Sequence, residues 1–211
     1  MKPEELKERD KILVNKAIAG DTGAFEQLIT AYERSVYNIA YRMFNNAHDA
    51  QDVAQDIFIK IYKNLHRYQG RENSSFKSWV FAIANNTCID EIRKRKSRIA
   101  PESLDIDIES EDGSIIRQIE SDEPLPEDVV LVKERRAQLS AAINKMPAGL
   151  KNMIVLRDIQ GLSYEEISEV TGMKLGTVKS KISRARASLK DIYTDLAEQK
   201  QKQNVWKTEV I

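Results

Sequence analysis

Little in this chain breaks a helix. Its 211 residues include only 8 glycines and 5 prolines, and no apolar run approaches the roughly 20 residues that a membrane-spanning helix needs. One cysteine, Cys88, excludes an internal disulfide and a cysteine-bound metal cluster. His48 and His66 are the only histidines; both fall at exposed-looking helix ends, and neither lies near Cys88 in sequence. Cys88 itself sits in an apolar helical pattern, the setting of a core thiol rather than a nucleophile. No glycine-rich phosphate loop occurs. Neither catalytic residues, nor a metal, nor a cofactor is therefore expected. The first residues, MKPEELKERDKILVNK, are charged throughout and do not read as a signal peptide. The expected compartment is the cytoplasm, without membrane insertion.

Net charge is also lacking, with 33 basic against 33 acidic residues. The balance hides a partition. Basic side chains gather at Arg93, Lys94, Arg95, Lys96 and Arg98, and again at Lys174, Lys179, Lys181, Arg184, Arg186 and Lys190. Between them Glu102, Asp105, Asp107, Glu109, Glu111, Asp112, Glu120, Asp122, Glu123, Glu127 and Asp128 form an acidic stretch that only Arg117 interrupts. Pro101, Gly113, Pro124 and Pro126 lie in or beside it, and aromatics are absent. Such a segment buries too little apolar surface to offset its ordering entropy. Residues 98–128 thus read as a flexible acidic linker between an N-terminal domain, 1–97, and a C-terminal domain, 129–211.

Apolar residues recur at helical spacing on both sides of the linker. Phe25, Leu28, Ile29, Tyr32, Val36, Ile39, Ala40 and Met43 mark one buried face, with Gly20 and Asp21 suited to its start. Ala50, Val53, Ala54, Ile57, Phe58, Ile61, Tyr62 and Leu65 mark a second. Ser74 or Ser75 can cap a third helix carrying Phe76, Trp79, Val80, Ile83 and Ala84, after a polar loop at Tyr68–Ser75. Helices are expected near Val129–Lys145 and through Met153–Ile159, with a break at Met146-Pro147. No period-two alternation appears. The expected fold is all-α, two small helical domains with a helix-turn-helix in the second.

That helix-turn-helix occupies residues 161–190. Ser163 and Glu166 can form a capping box, Thr171-Gly172-Met173 makes the corner, and a second helix begins near Leu175. Leu175, Val178, Ile182, Ala185 and Leu189 share one face of it. Thr177, Ser180, Lys181 and Arg184 share the opposite face, flanked by Lys179 and Arg186, and no acid occurs between Lys174 and Lys190. A helix apolar behind and basic in front, led by a tight turn, suits the major groove of DNA. Lysine and arginine pair with phosphates or guanine edges, serine and threonine with either phosphates or bases. The competing reading is a merely solvated face, although such a face usually mixes signs.

The stretch LSYEEISEVTGMKLGTVKSKISRARASLK, above all GTVKS followed by SRAR, resembles the DNA-reading module of extracytoplasmic-function (ECF) sigma factors of the sigma-70 family. Residues 49–62, DAQDVAQDIFIKIY, resemble that family's polymerase-docking helix, and FKSWVFAIANNTCIDEIRKRK resembles its promoter-melting and upper-element helices. The order and distances are also family-like. The resemblance implies a polymerase subunit that chooses promoters and catalyses nothing, serving a stress or envelope regulon.

On the docking helix it implies that Asp49, Asp52, Gln55 and Asp56 meet a coiled coil on the clamp of the largest polymerase subunit. Two other readings stay open there: a divalent-metal site on Asp49, Asp52 and Asp56, or a solvated face. For the upper promoter element it implies that the Tyr68–Ser75 loop receives a flipped base, with Tyr68 and Asn86 at the pocket, and that Arg93, Lys94, Arg95 and Lys96 grip the adjoining backbone. Further implied partners are promoter DNA as duplex and unpaired strand, the polymerase flap, and an anti-sigma factor. Three departures stand out: Lys174 where many relatives carry proline, Ser183 where histidine or phenylalanine is common, and a slightly longer loop at Gly70–Ser75.

Overall fold

The computed structural model describes residues 3–68, 75–99 and 126–209, with side chains over 4–68, 75–97 and 132–200. Among the described residues eight α-helices follow one another: α1 (Pro3–Ile18), α2 (Thr22–Phe44), α3 (Ala47–Asn64), α4 (Phe76–Ile99), α5 (Pro126–Lys145), α6 (Ala148–Ile154), α7 (Tyr164–Thr171) and α8 (Leu175–Glu209). A 3-10 turn, Leu65–Arg67, closes α3, and a π turn, Val155–Ile159, extends α6. No strand occurs among the described residues. The expected acidic linker lies mostly outside them. At its edges α4 runs on to Ile99 and α5 starts at Pro126, inside the span 98–128.

Capping chemistry sets most boundaries. Asp21 opens α2 by accepting the Ala24 amide at 3.0 Å, and Asn46 opens α3 by accepting the Asp49 amide at 3.0 Å. Asn45 ends α2 in the left-handed region, φ 54°, a conformation asparagine tolerates better than most residues. Ser75 rather than Ser74 caps α4, its hydroxyl accepting the Ser78 amide at 3.1 Å. Pro147 stands immediately before α6, so this helix begins at Ala148, ahead of the expected Met153.

The first three helices surround α4. Leu28, Val36, Ile39, Ala50, Ile57 and Ile61 are fully buried there with Val80 and Ala84. Each such Leu or Ile stabilises the fold by about 1.5–3 kcal/mol through burial. The helix α1 was not expected from the sequence pattern; Leu13 and Val14 seat it on α2. Its buried Asp10 carboxylate accepts a hydrogen bond from the Tyr32 hydroxyl. Tyr62 departs from expectation: it is 65% exposed, although its ring edge meets Phe25 with centroids 5.1 Å apart.

The C-terminal helices build a second packed unit from Met153, Ile154, Leu156, Leu162, Ile167, Val178 and Ile182. The two units are in contact. Helix α4 lies against α7, and α2 touches α6 and the π turn, so one apolar interior runs through both. Polar groups cross the same boundary: the Asn152 amide donates to Asn85 Oδ1 at 2.6 Å in a buried setting, and Arg42 donates to the Ser140 hydroxyl at 3.5 Å.

Candidate nucleic-acid and protein interfaces

The helix-turn-helix forms as the sequence suggests. Ser163 and Glu166 make a reciprocal capping box: the Ser163 hydroxyl accepts the Glu166 amide at 3.0 Å, and Glu166 Oε2 accepts the Ser163 amide at 2.7 Å. Gly172 turns the corner at φ 67°. Thr171 and Ser168 hold the turn by donating to the carbonyls of Ile167 and Met173. The recognition segment then opens α8, which continues without interruption to Glu209, well beyond the helix-turn-helix span 161–190.

Burial sorts that segment cleanly. Val178, Ile182 and Ala185 are buried, and Leu189 packs partly against the same core. Thr177, Lys179, Ser180 and Arg184 are exposed and Lys181 is half-buried. Arg186 is exposed too, but it pairs bidentately with Asp158, at 3.2 and 2.5 Å, and these bonds hold its guanidinium above its ordinary pKa. It is thereby committed to the π turn. Lys179, Lys181 and Arg184 have no carboxylate at ion-pair distance among the described residues.

The basic run at the end of α4 is less uniform. Arg95 binds both oxygens of Asp49, at 2.7 and 3.1 Å, reaches Glu91 at 3.2 Å, and stacks over Phe44 with its guanidinium carbon 4.9 Å from the ring centre. Hydrogen bonds from Arg95 hold the Asp49 carboxyl below its ordinary value, although partial burial opposes them. One expected DNA contact and one expected docking residue are thus bound to each other. Arg93 and Lys94 stand 3.7 and 3.9 Å from Asp90 and Glu91, exposed and weakly held, and Lys96 is exposed.

Asn86 is exposed, with its Oδ1 accepting from the Asn85 amide at 3.2 Å. Tyr68 is half-buried in an aromatic cluster, its ring 5.3 Å from Phe76 and 5.5 Å from Trp79. Of the expected base-receiving loop, Tyr68–Ser75, residues 69–74 lie outside the described residues. Cys88 is buried and its thiol is pushed up to about 12 by desolvation, as expected of a core group.

On α3, Asp52, Gln55 and Asp56 are exposed, with His48 at 3.1 Å from Asp52. Ile59 (50% exposed) and Tyr62 extend the same face. This apolar component was not expected. It could have been read from helical geometry, because at 100° per residue Gln55, Ile59 and Tyr62 point together. The described residues hold no cluster of three or more metal-ligating side chains, so the open metal reading of Asp49, Asp52 and Asp56 gains no support. A further groove of about 430 Å³ between α5 and α8 escaped the sequence reading. It is lined by Val132, Leu139, Leu189 and Tyr193 together with the cationic residues Arg135, Arg136, Arg186 and Lys190. No described helix is long and apolar enough to cross a membrane.

Two family models match the chain: Sigma-70 region 2 over residues 28–98, and Sigma-70 region 4 over residues 136–189. The chain is 36% identical over 178 residues to the ECF RNA polymerase sigma factor SigW of Bacillus subtilis, covering 84% of this chain and 92% of that protein. It belongs to the ECF sigma factors of the sigma-70 family. The sigma factor is also 35% identical over 184 residues to the ECF RNA polymerase sigma-E factor of Escherichia coli, covering 85% of this chain and 92% of its relative. Its fold matches that of CnrH, solved in complex with the cytosolic domain of CnrY, at a TM-score of 0.63, 24% identity and coverage of 89% and 98%. A sigma factor RpoE, solved with the anti-sigma factor NepR from Bartonella quintana, matches at a TM-score of 0.57, 24% identity and coverage of 81% and 96%. The all-α sigma fold follows from these matches and from the helices themselves.

Proposed function

We propose that this sigma factor divides its work between three surfaces. The exposed side of α3, carrying Asp52, Gln55, Asp56, Ile59 and Tyr62, docks on the clamp coiled coil of core polymerase. The front of α8, carrying Thr177, Lys179, Ser180, Lys181 and Arg184, enters the major groove of the distal promoter element. The start and middle of α4, with the loop before it, read the upper element as an unpaired strand, and Lys96 with its basic neighbours holds the adjoining backbone. The cation-lined groove between α5 and α8 suits the polymerase flap, and an anti-sigma factor covers the docking or recognition helix. The acidic segment bridges the two DNA-reading units and threads toward the RNA exit path. In this reading the chain makes and breaks no covalent bond, works in the cytoplasm and serves a stress or envelope regulon.

The observation that carries the proposal is the sorting of α8. A capped helix and a glycine corner present an acid-free basic face whose back is buried at Val178, Ile182 and Ala185. Run-off transcription with purified core enzyme and a genomic promoter pool tests it. Initiation from a defined promoter class is expected. Lys181→Ala and Arg184→Ala should weaken promoter binding at least tenfold and leave polymerase binding intact, whereas Asp52→Ala with Gln55→Ala should do the reverse. A chain that never joins core enzyme, or that protects a palindrome without it, would overturn the proposal.

A further inference from the structure

Asn85 is a buried polar side chain on α4, and it is hydrogen-bonded to the C-terminal unit. Its Oδ1 accepts the Asn152 amide at 2.6 Å, and its own amide donates to Asn86 Oδ1 at 3.2 Å. Three carboxamides therefore run in line from α6 to the exposed surface of α4. A carboxamide offers an acceptor at one end and donors at the other, so the bond from Asn152 orients Asn85 and turns its donor onto Asn86. Closure thus occupies an acceptor on Asn86 and both ends of the Asn85 carboxamide.

Adjacent carboxamides on one helix are well equipped to pair with base edges, because asparagine presents a donor and an acceptor together. We propose that Asn85 is a second base-reading side chain beside Asn86, and that docking of the C-terminal unit through Asn152 sequesters the pair. The chain then reads an unpaired strand fully only when the two units separate. This rests on the assignment of Asn86 to the upper-element pocket, but it adds a residue and a conformational condition. Separation costs the buried amide–amide bond, the Arg42–Ser140 bond and the apolar contacts of α4 with α7 and of α2 with α6 and the π turn. A partner that favours the open form must supply that energy through its differential affinity for the two states.

The test uses the full chain. Exposed Glu33 and Ala187 are changed to cysteine and spin-labelled, Cys88 being buried and poorly reactive. A second chain carries Arg42→Cys with Ser140→Cys, joined by a short bis-maleimide that holds the units together without touching the asparagines. The probe is a fluorescein-labelled random single-stranded DNA 12-mer, read by anisotropy. Asn152→Ala is expected to lengthen and broaden the spin–spin distance and to tighten probe binding at least fivefold; adding Asn85→Ala should then abolish that gain. The tethered chain should bind the probe at least fivefold more weakly than its untethered form.

An unchanged distance in Asn152→Ala, equal binding by tethered and untethered chains, or a gain that survives Asn85→Ala would each overturn the proposal. Circular dichroism and gel filtration identify a variant that has merely unfolded, and the tethered chain, whose asparagines are native, then decides. Run-off transcription separates this idea from the one beneath it. Equal output from tethered and untethered chains defeats the sequestration alone, whereas a native chain inactive with core enzyme defeats the sigma assignment.

Discussion

Arg95 illustrates how one side chain can be read two ways until its neighbours are known. In sequence it belongs to a basic run; in the fold it clasps the C-terminal part of α4 to the start of α3 through Asp49, with Phe44 beneath it. Bidentate guanidinium–carboxylate geometry is strong, but both groups are about one-third exposed, so solvent screening reduces the clasp to about 1 kcal/mol. Its pH dependence has a definite sign. The folded state holds the Asp49 carboxyl below 3.8, so the stabilisation is complete above that value and disappears as pH falls through the lower folded value. Urea melts of the native chain and Asp49→Asn should therefore differ by about 1 kcal/mol at pH 7, with the difference shrinking only as pH falls below 3.8. A constant difference would show that Asp49 acts through packing instead.

At the scale of elements, the helix-turn-helix allows a paired test. Gly172 sits at φ 67° with no atom within 4 Å of an added Cβ, so Gly172→Ala meets only backbone strain, about 1–2 kcal/mol. Gly176, inside α8, also faces open space but has ordinary helical backbone. Gly176→Ala should stabilise by about 0.5–1 kcal/mol. Thermal melts of the two variants are expected to move in opposite directions.

The elements themselves were largely legible. The capping box, the glycine corner and the buried face of α8 are local, and local chemistry decides them. Helix α1 escaped because, among its described residues, the only apolar ones that bury are Leu13 and Val14, set among many charges. Tyr62 was assigned by its chemistry to the apolar face, yet its angular position groups it with Gln55. What no local pattern reveals is tertiary pairing: Asp49 lies 46 residues from Arg95, and Asn85 lies 67 from Asn152. The groove between α5 and α8 likewise exists only after two distant helices meet.

At the scale of the whole molecule, a continuous apolar interior joins the two units. Cooperative unfolding follows the packed interior rather than the family boundary. Calorimetry of the native chain should give one transition, and Asn152→Ala should resolve two. Two resolved transitions in the native chain would mean that the contact between units contributes little in solution.

The pairing of Arg186 with Asp158 has a consequence for ionic strength. Each cation that neutralises a DNA phosphate releases counterions, and each adds about 0.9 to the slope of log affinity against log salt. A guanidinium already neutralised by its own carboxylate releases few. Replacing Arg186 with glutamine should therefore leave that slope nearly unchanged, while Lys181→Gln lowers it by about 1. The electrolyte sensitivity of promoter binding thus follows the cations the fold leaves uncompensated, a smaller set than the basic residues in the sequence.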